Sequence, residues 1–188
     1  MKKKVVVFNG VHSAGKSTLA QALAEHDDRF IFYPEIGRKV REEVTYNALE
    51  SGEEFDREVI RRELAQDAEL IKEPKIPLVE TWHIGNLGYM RARTPHLMPE
   101  YTRSLERQLD VIEPICLLIE IDWDTFRTRA TEKIRPDQMD ELIRFFSVIR
   151  ETTLELYRSL DIRYHAIENR NELGSALAAA QSCIDERL

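Results

Sequence analysis

The eight residues Gly10-Val-His-Ser-Ala-Gly15-Lys16-Ser17 constrain the fold more than any other stretch of the chain. An apolar run of strand length, KVVVFN (Lys4–Asn9), leads into them, and an apolar helical pattern from Lys16 to Glu25 follows. The two glycines allow backbone conformations closed to other residues, and they let another group come close to the main chain. A turn that opens a helix also gathers unpaired N–H groups at the positive end of the helix dipole. A buried strand, a bare turn and a helix in that order make the start of an α/β sheet.

The rest of the chain repeats the alternation. IPLVET (Ile76–Thr81), PICLLIEID (Pro114–Asp122), IRYHAI (Ile162–Ile167) and RFIFYP (Arg29–Pro34) are short and apolar nearly throughout, as expected for parallel strands covered on both faces. Helical spacings of three and four separate them. Phe55, Val59, Ile60, Leu64, Ala68 and Ile71 mark a helix over Glu53–Lys72. Leu142, Phe145, Phe146, Ile149, Leu156 and Tyr157 mark another over Gln138–Leu160. Leu173, Ala176, Leu177, Ala180 and Ile184 mark the last. Alternation of this kind predicts right-handed crossovers and a doubly wound sheet. The 188 residues suit a single domain spanning 1–188.

Composition narrows the partners. A formal net charge of −7, with both signs scattered along the chain, predicts no general affinity for nucleic acid and none for anionic lipid. No apolar run reaches the roughly 20 residues of a membrane span, and the basic tip MKKK runs straight into the first strand. The two cysteines, Cys116 and Cys183, read as reduced thiols of a cytoplasmic protein, and no Cys/His spacing suggests zinc.

The motif GxxxxGK[ST] explains the glycine turn. Consecutive N–H groups pointing into one concavity bind phosphate. Lys16 adds a full charge, and the Ser17 hydroxyl can ligate Mg²⁺. Gly10, His12, Ser13, Ala14, Gly15, Lys16, Ser17 and Thr18 are therefore the candidate ATP-binding residues of the loop. In parallel sheets ligands sit at the carboxyl ends of strands. Glu35 follows RFIFYP, with Arg38 and Arg41 at three-residue spacings beyond it; Glu80 ends IPLVE and precedes Thr81, Trp82 and His83; Asp122 precedes a basic run holding Arg127, Arg129, Lys133 and Arg135.

With these residues in view, the chain resembles the P-loop nucleoside and nucleotide kinases, the thymidylate kinase and deoxynucleoside kinase group with its small AAA-like relatives. FNGVHSAGKSTLAQAL looks like that group's first βα unit, YPEIGR its strand-two end, PLVETWHIGNLGY its strand-three end, PICLLIEIDWDTFRTRA its fourth strand and arginine-bearing helix, and IRYHAIEN its final strand. The resemblance implies a three-layer fold with a five-stranded parallel sheet in the order 2-3-1-4-5. It also implies a lid over about 127–138 and acceptor-side segments over about 35–75 and 82–110.

The implied roles follow residue by residue. Lys16, Arg127 and Arg135 neutralise charge on the transferring group, and Arg129 joins the ATP-binding set. Ser17 and Glu80 hold Mg²⁺, and Glu80 or Glu35 serves as the base. Glu35, Arg38, Trp82 and Tyr89 face the acceptor, the two aromatic rings as stacking surfaces. Thr81 departs from the pattern: nucleotide kinases of the group commonly place there an arginine that holds the acceptor's phosphate.

The expected activity is transfer of the γ-phosphate of Mg·ATP to a nucleoside, a nucleotide or a similar small acceptor, in a protein compatible with homodimer formation. The alternative is a regulatory P-loop NTPase, an ATP-binding switch without a small-molecule acceptor. No Asn-Lys-x-Asp string of guanine specificity occurs in the sequence.

Overall fold

The computed structural model describes residues 1–44, 52–130, 136–170 and 173–188. Five parallel strands form one sheet in the order β2-β3-β1-β4-β5: β1 (Lys3–Asn9), β2 (Phe30–Tyr33), β3 (Ile76–Glu80), β4 (Ile112–Glu120) and β5 (Tyr164–Glu168). The expected strand order is the observed one. In register, Phe8 of β1 lies beside Glu80 on one flank and Leu117 on the other. The glycine turn that follows β1 therefore opens between the carboxyl ends of β3 and β4.

The side chains of β1 alternate between two cores. Val6 and Phe8 pack with Leu78, Leu117 and Ile119, beneath α1 (Lys16–His26) and α8 (Leu173–Asp185). Val5 and Val7 pack with Val79 and Cys116, beneath α4 (His83–Arg93) and α5 (Met98–Leu109). The long helix α7 (Met139–Ser159) joins both: Phe146 and Ile149 enter the first core, Leu156 and Tyr157 the second. Two further helices, α2 (Ile36–Val44) and α3 (Glu53–Leu70), form a smaller apolar contact of their own through Ile36, Val40, Phe55 and Val59. Between β4 and α7 lies α6 (Trp123–Ala130).

Several sequence expectations need correction. β5 is not covered on both faces: it is the edge strand beside β4, and within it only Ile167 is buried. β4 begins at Ile112, so Pro114 lies inside it. β5 pairs only with Cys116–Glu120, so the proline sits where β1 alone flanks the strand. The acceptor-side segment over about 82–110 is helical: α4 runs to Arg93, a short 3₁₀ turn covers Pro95–Leu97, and α5 follows. Cys116 and Cys183 are free thiols, the first buried and the second half-buried. No helix among the described residues is long and apolar enough to cross a membrane.

Candidate functional site

The turn between β1 and α1 needs its glycines. Gly10 has φ +143°, and a Cβ there would stand 2.3 Å from the Ile119 carbonyl oxygen. Gly15 caps α1 with φ +91°. Inside the turn, side-chain donors capture the carbonyls. Lys16 Nζ donates to the Gly10 and Val11 oxygens, at 3.0 Å each. Arg129 Nη1 donates to Ser13 O at 3.3 Å, and Asn169 Nδ2 to Ala14 O at 2.8 Å. Lys16 is buried, which lowers its pKa; the charges of Glu35 and Glu80 act in the opposite direction.

A cavity of about 460 Å³ opens over this turn, lined by His12, Ser13, Gly15, Lys16, Ser17, Thr18, Glu35, Arg38, Glu80, Tyr89, Arg129, Asn169 and Leu173. Its size is that of a small-molecule site. Ser17 Oγ donates to Glu80 Oε1 at 2.6 Å, and Arg38 Nη2 donates to Ser17 Oγ at 3.0 Å. Arg38 also lies 3.6 Å from Glu80 and 3.9 Å from Glu35, while Arg41 pairs with Glu35 at 3.4 Å. The end of β3 and the start of α2 thus face the first turn of α1 across a band of alternating charge. Tyr89 forms one wall, with Phe145 and Phe146 beside its ring and the Arg93 guanidinium 5.2 Å from its centroid. Burial raises the Tyr89 pKa, so its hydroxyl stays protonated.

Most of the expected site residues meet here, but not all. Gly10 and Ala14 do not line the cavity; Ala14 is fully buried, and both contribute carbonyls that are already bonded. Arg127 lies outside it, paired with Asp140 at 2.8 Å. Arg135 and Lys133 fall outside the described residues, as does the centre of the expected lid. Trp82 is a correction. It is 1 % exposed and its indole N–H donates to Asp67 Oδ1 at 2.9 Å, so it belongs to the core and offers no stacking face.

Two features escaped the sequence reading. Asn169, just past β5, had no motif to mark it. The second is a fully buried polar cluster behind Glu80. His83 Nε2 lies 2.6 Å from Asp67 Oδ2, and its Nδ1 lies 2.5 Å from Tyr101 Oη and 3.1 Å from Glu63 Oε2. Tyr101 donates in turn to Glu63 at 2.7 Å. Carboxyl groups on both sides of one imidazole favour its positive charge. Burial disfavours that charge, but Glu63 and Asp67 outweigh it, and the His83 pKa is raised. The cluster joins α3 and α5 to the start of α4, three residues beyond Glu80.

A family model described as an AAA domain matches residues 5–172. The chain belongs to the AAA domain family. No curated protein sequence matches it. Among solved structures, the NadR protein in complex with NR superposes with a TM-score of 0.74 at 15 % identity, over 98 % of this chain and 50 % of that one. This AAA domain thus spans about half the length of the NadR chain. Thymidylate kinase from Ehrlichia chaffeensis (TM-score 0.66, 15 % identity) and deoxyadenosine kinase from M. mycoides with bound dATP (0.66, 11 %) each align over 97 % of this chain and 99 % of their own. The fold is that of the P-loop nucleoside and nucleotide kinase group, as the sequence resemblance implied.

Proposed function

We propose that the protein is a phosphotransferase that moves the γ-phosphate of ATP to a nucleoside, a nucleotide or a similar small acceptor. One observation carries the reading: the cavity over the glycine turn is lined not only by the turn and Ser17 but also by Glu35, Arg38, Glu80 and Tyr89 from outside it. A switch needs room for a nucleotide only; a transferase needs room on both sides of the transferred group.

The donor set fits Mg²⁺. Ser17 Oγ and Glu80 Oε1 are hard oxygen ligands converging at the phosphate end of the cavity. Mg²⁺ is commonly held by one or two carboxylates together with substrate phosphate oxygens and water. The ion would neutralise phosphate charge. Lys16 and the turn's N–H groups would hold the donor.

With Glu80 committed to Ser17, Glu35 is the carboxylate that faces the acceptor half, 7 % exposed and steadied by Arg41. For an alcohol acceptor, Glu35 takes the hydroxyl proton as the oxygen bonds to the γ-phosphorus; the bond to the bridging β–γ oxygen breaks and ADP leaves. Arg38, freed from Ser17, can pair with the transferring group.

The test is ADP release from Mg·ATP across a panel of nucleosides, nucleotides and small alcohols, for wild type and Lys16→Ala. The expected result is slow turnover that one acceptor class raises and that the variant lacks. Turnover indifferent to every acceptor would favour the regulatory NTPase.

A further inference from the structure

Asn169 belongs to no motif, yet it bonds to the nucleotide turn, to the end of β4 and to Arg129. It is 6 % exposed. Its backbone N–H donates to Glu120 O at 2.9 Å, which ties it to the end of β4. Its carbonyl accepts from Arg129 Nη2 at 3.0 Å, and its side-chain Nδ2 donates to Ala14 O at 2.8 Å. Since a carbonyl can only accept, the amide nitrogen, not the oxygen, must face the turn.

The peptide joining Ala14 to Gly15 is planar, so its C=O and N–H point in opposite directions. With Ala14 O turned onto Asn169, the Gly15 N–H is turned away from it; Gly15 and Asn169 both line the cavity. The left-handed φ of Gly15 and its missing side chain belong to the same arrangement: a Cβ there would lie 2.4 Å from Asn169 Nδ2. The neighbouring carbonyl, Ser13 O, is taken by Arg129, which also holds Asn169. Two side chains, one from α6 after β4 and one just past β5, therefore hold the carbonyls of Ser13 and Ala14.

We propose that Asn169 is a positioning residue for polyphosphate: by bonding the Ala14 carbonyl it fixes the Ala14–Gly15 peptide in the orientation that aims the Gly15 N–H at the bound phosphates. This rests on the phosphate-binding reading of the cavity and adds a residue to it. The ligand contact it governs is a main-chain one, invisible to any side-chain motif.

The experiment is calorimetric titration of wild type, Asn169→Ala and the near-isosteric Asn169→Asp with Mg·ATP and, separately, with tripolyphosphate. Thermal melting of the ligand-free proteins and ¹H–¹⁵N spectra accompany it. The loss of one net hydrogen bond predicts about 5- to 15-fold weaker binding in Asn169→Ala, by a similar factor for both ligands. Asn169→Asp loses more, because a carboxylate oxygen then faces both the Ala14 carbonyl and the phosphates. The Gly15 amide resonance should shift on tripolyphosphate addition in wild type and lose most of that shift in Asn169→Ala, while the Thr18 amide still responds.

Unchanged affinity in both variants, or a Gly15 shift that persists in Asn169→Ala, overturns the proposal. So does a loss for ATP without a loss for tripolyphosphate, which would assign Asn169 to the base or ribose. If Asn169→Ala fails to fold, Asn169→Asp carries the same comparison. A wild type that binds neither ligand defeats the cavity reading itself, a result distinguishable from failure of the Asn169 role alone.

Discussion

Raising the pH should destabilise this protein, and Glu63 is the main reason. Its carboxyl is 1 % exposed, and burial pushes its pKa from the ordinary 4.5 up to about 7, although His83 and the Tyr101 hydroxyl act in the opposite direction. In the folded protein Glu63 therefore keeps a proton over a range where the unfolded chain has lost it. The folded state binds more protons, so stability falls as pH rises. The gap from 4.5 to about 7, at about 1.4 kcal/mol per pH unit, makes the full loss about 3–4 kcal/mol. His83 has the same sign: its raised pKa gives stability that is present below about pH 6.5 and lost as pH climbs through the folded value.

The assay is guanidinium unfolding of wild type and Glu63→Gln from about pH 5 to about pH 8. The amide keeps an oxygen for Tyr101 but does not titrate. Wild type should lose about 2–3 kcal/mol relative to the variant across that range. Parallel profiles, or a wild type that weakens on acidification relative to Glu63→Gln, would refute the reasoning.

Other perturbations read out different parts of the structure. Glu80→Gln should lower phosphoryl transfer by about a hundredfold while nucleotide binding changes far less, because the variant loses the charge beside Ser17; single-turnover rates set against calorimetric affinity check this. Gly10→Ala should cost more than about 2 kcal/mol in denaturant unfolding, since its Cβ meets the Ile119 carbonyl at 2.3 Å and its φ of +143° is strained for alanine. Trp82→Phe should cost about 1–3 kcal/mol by leaving Asp67 short of a donor, with the acceptor KM unaffected; a raised KM at unchanged stability would return Trp82 to the acceptor site.

The parts of the fold that the sequence displayed are those where one physical demand acts alone. The buried central strands had to be apolar throughout, and the glycine turn had to be bare. β5 was misjudged because its alternation is blurred by an edge position, where Tyr164 is exposed yet stacks on Tyr157. Helix α4 went unseen because Gly85 and Gly88 weaken its pattern. Tertiary approach decides those two positions. A Cβ at Gly85 would lie 2.5 Å from Asn9 Oδ1, and one at Gly88 would lie 2.9 Å from Ile149 O.

At the site, residues with a chemical signature were legible: Lys16, Ser17, Glu35, Arg38 and Glu80 all reach one cavity. Trp82 was misread because nothing local distinguishes an indole facing a ligand from one bonded to Asp67, fifteen residues earlier. Asn169 was missed because it acts through a backbone carbonyl 155 positions away, a pairing that no local pattern records.

That distance has a consequence for biosynthesis. The turn is translated first, but the two side chains that shape it lie 116 and 155 positions later, the second beyond the last strand. A nascent chain emerging from the ribosome carries the motif long before it carries the means to wind it. Competence to capture a triphosphate should therefore arrive abruptly, once β5 and the residue after it have emerged, and chains stalled before that point should leave the cell's nucleotide pool untouched.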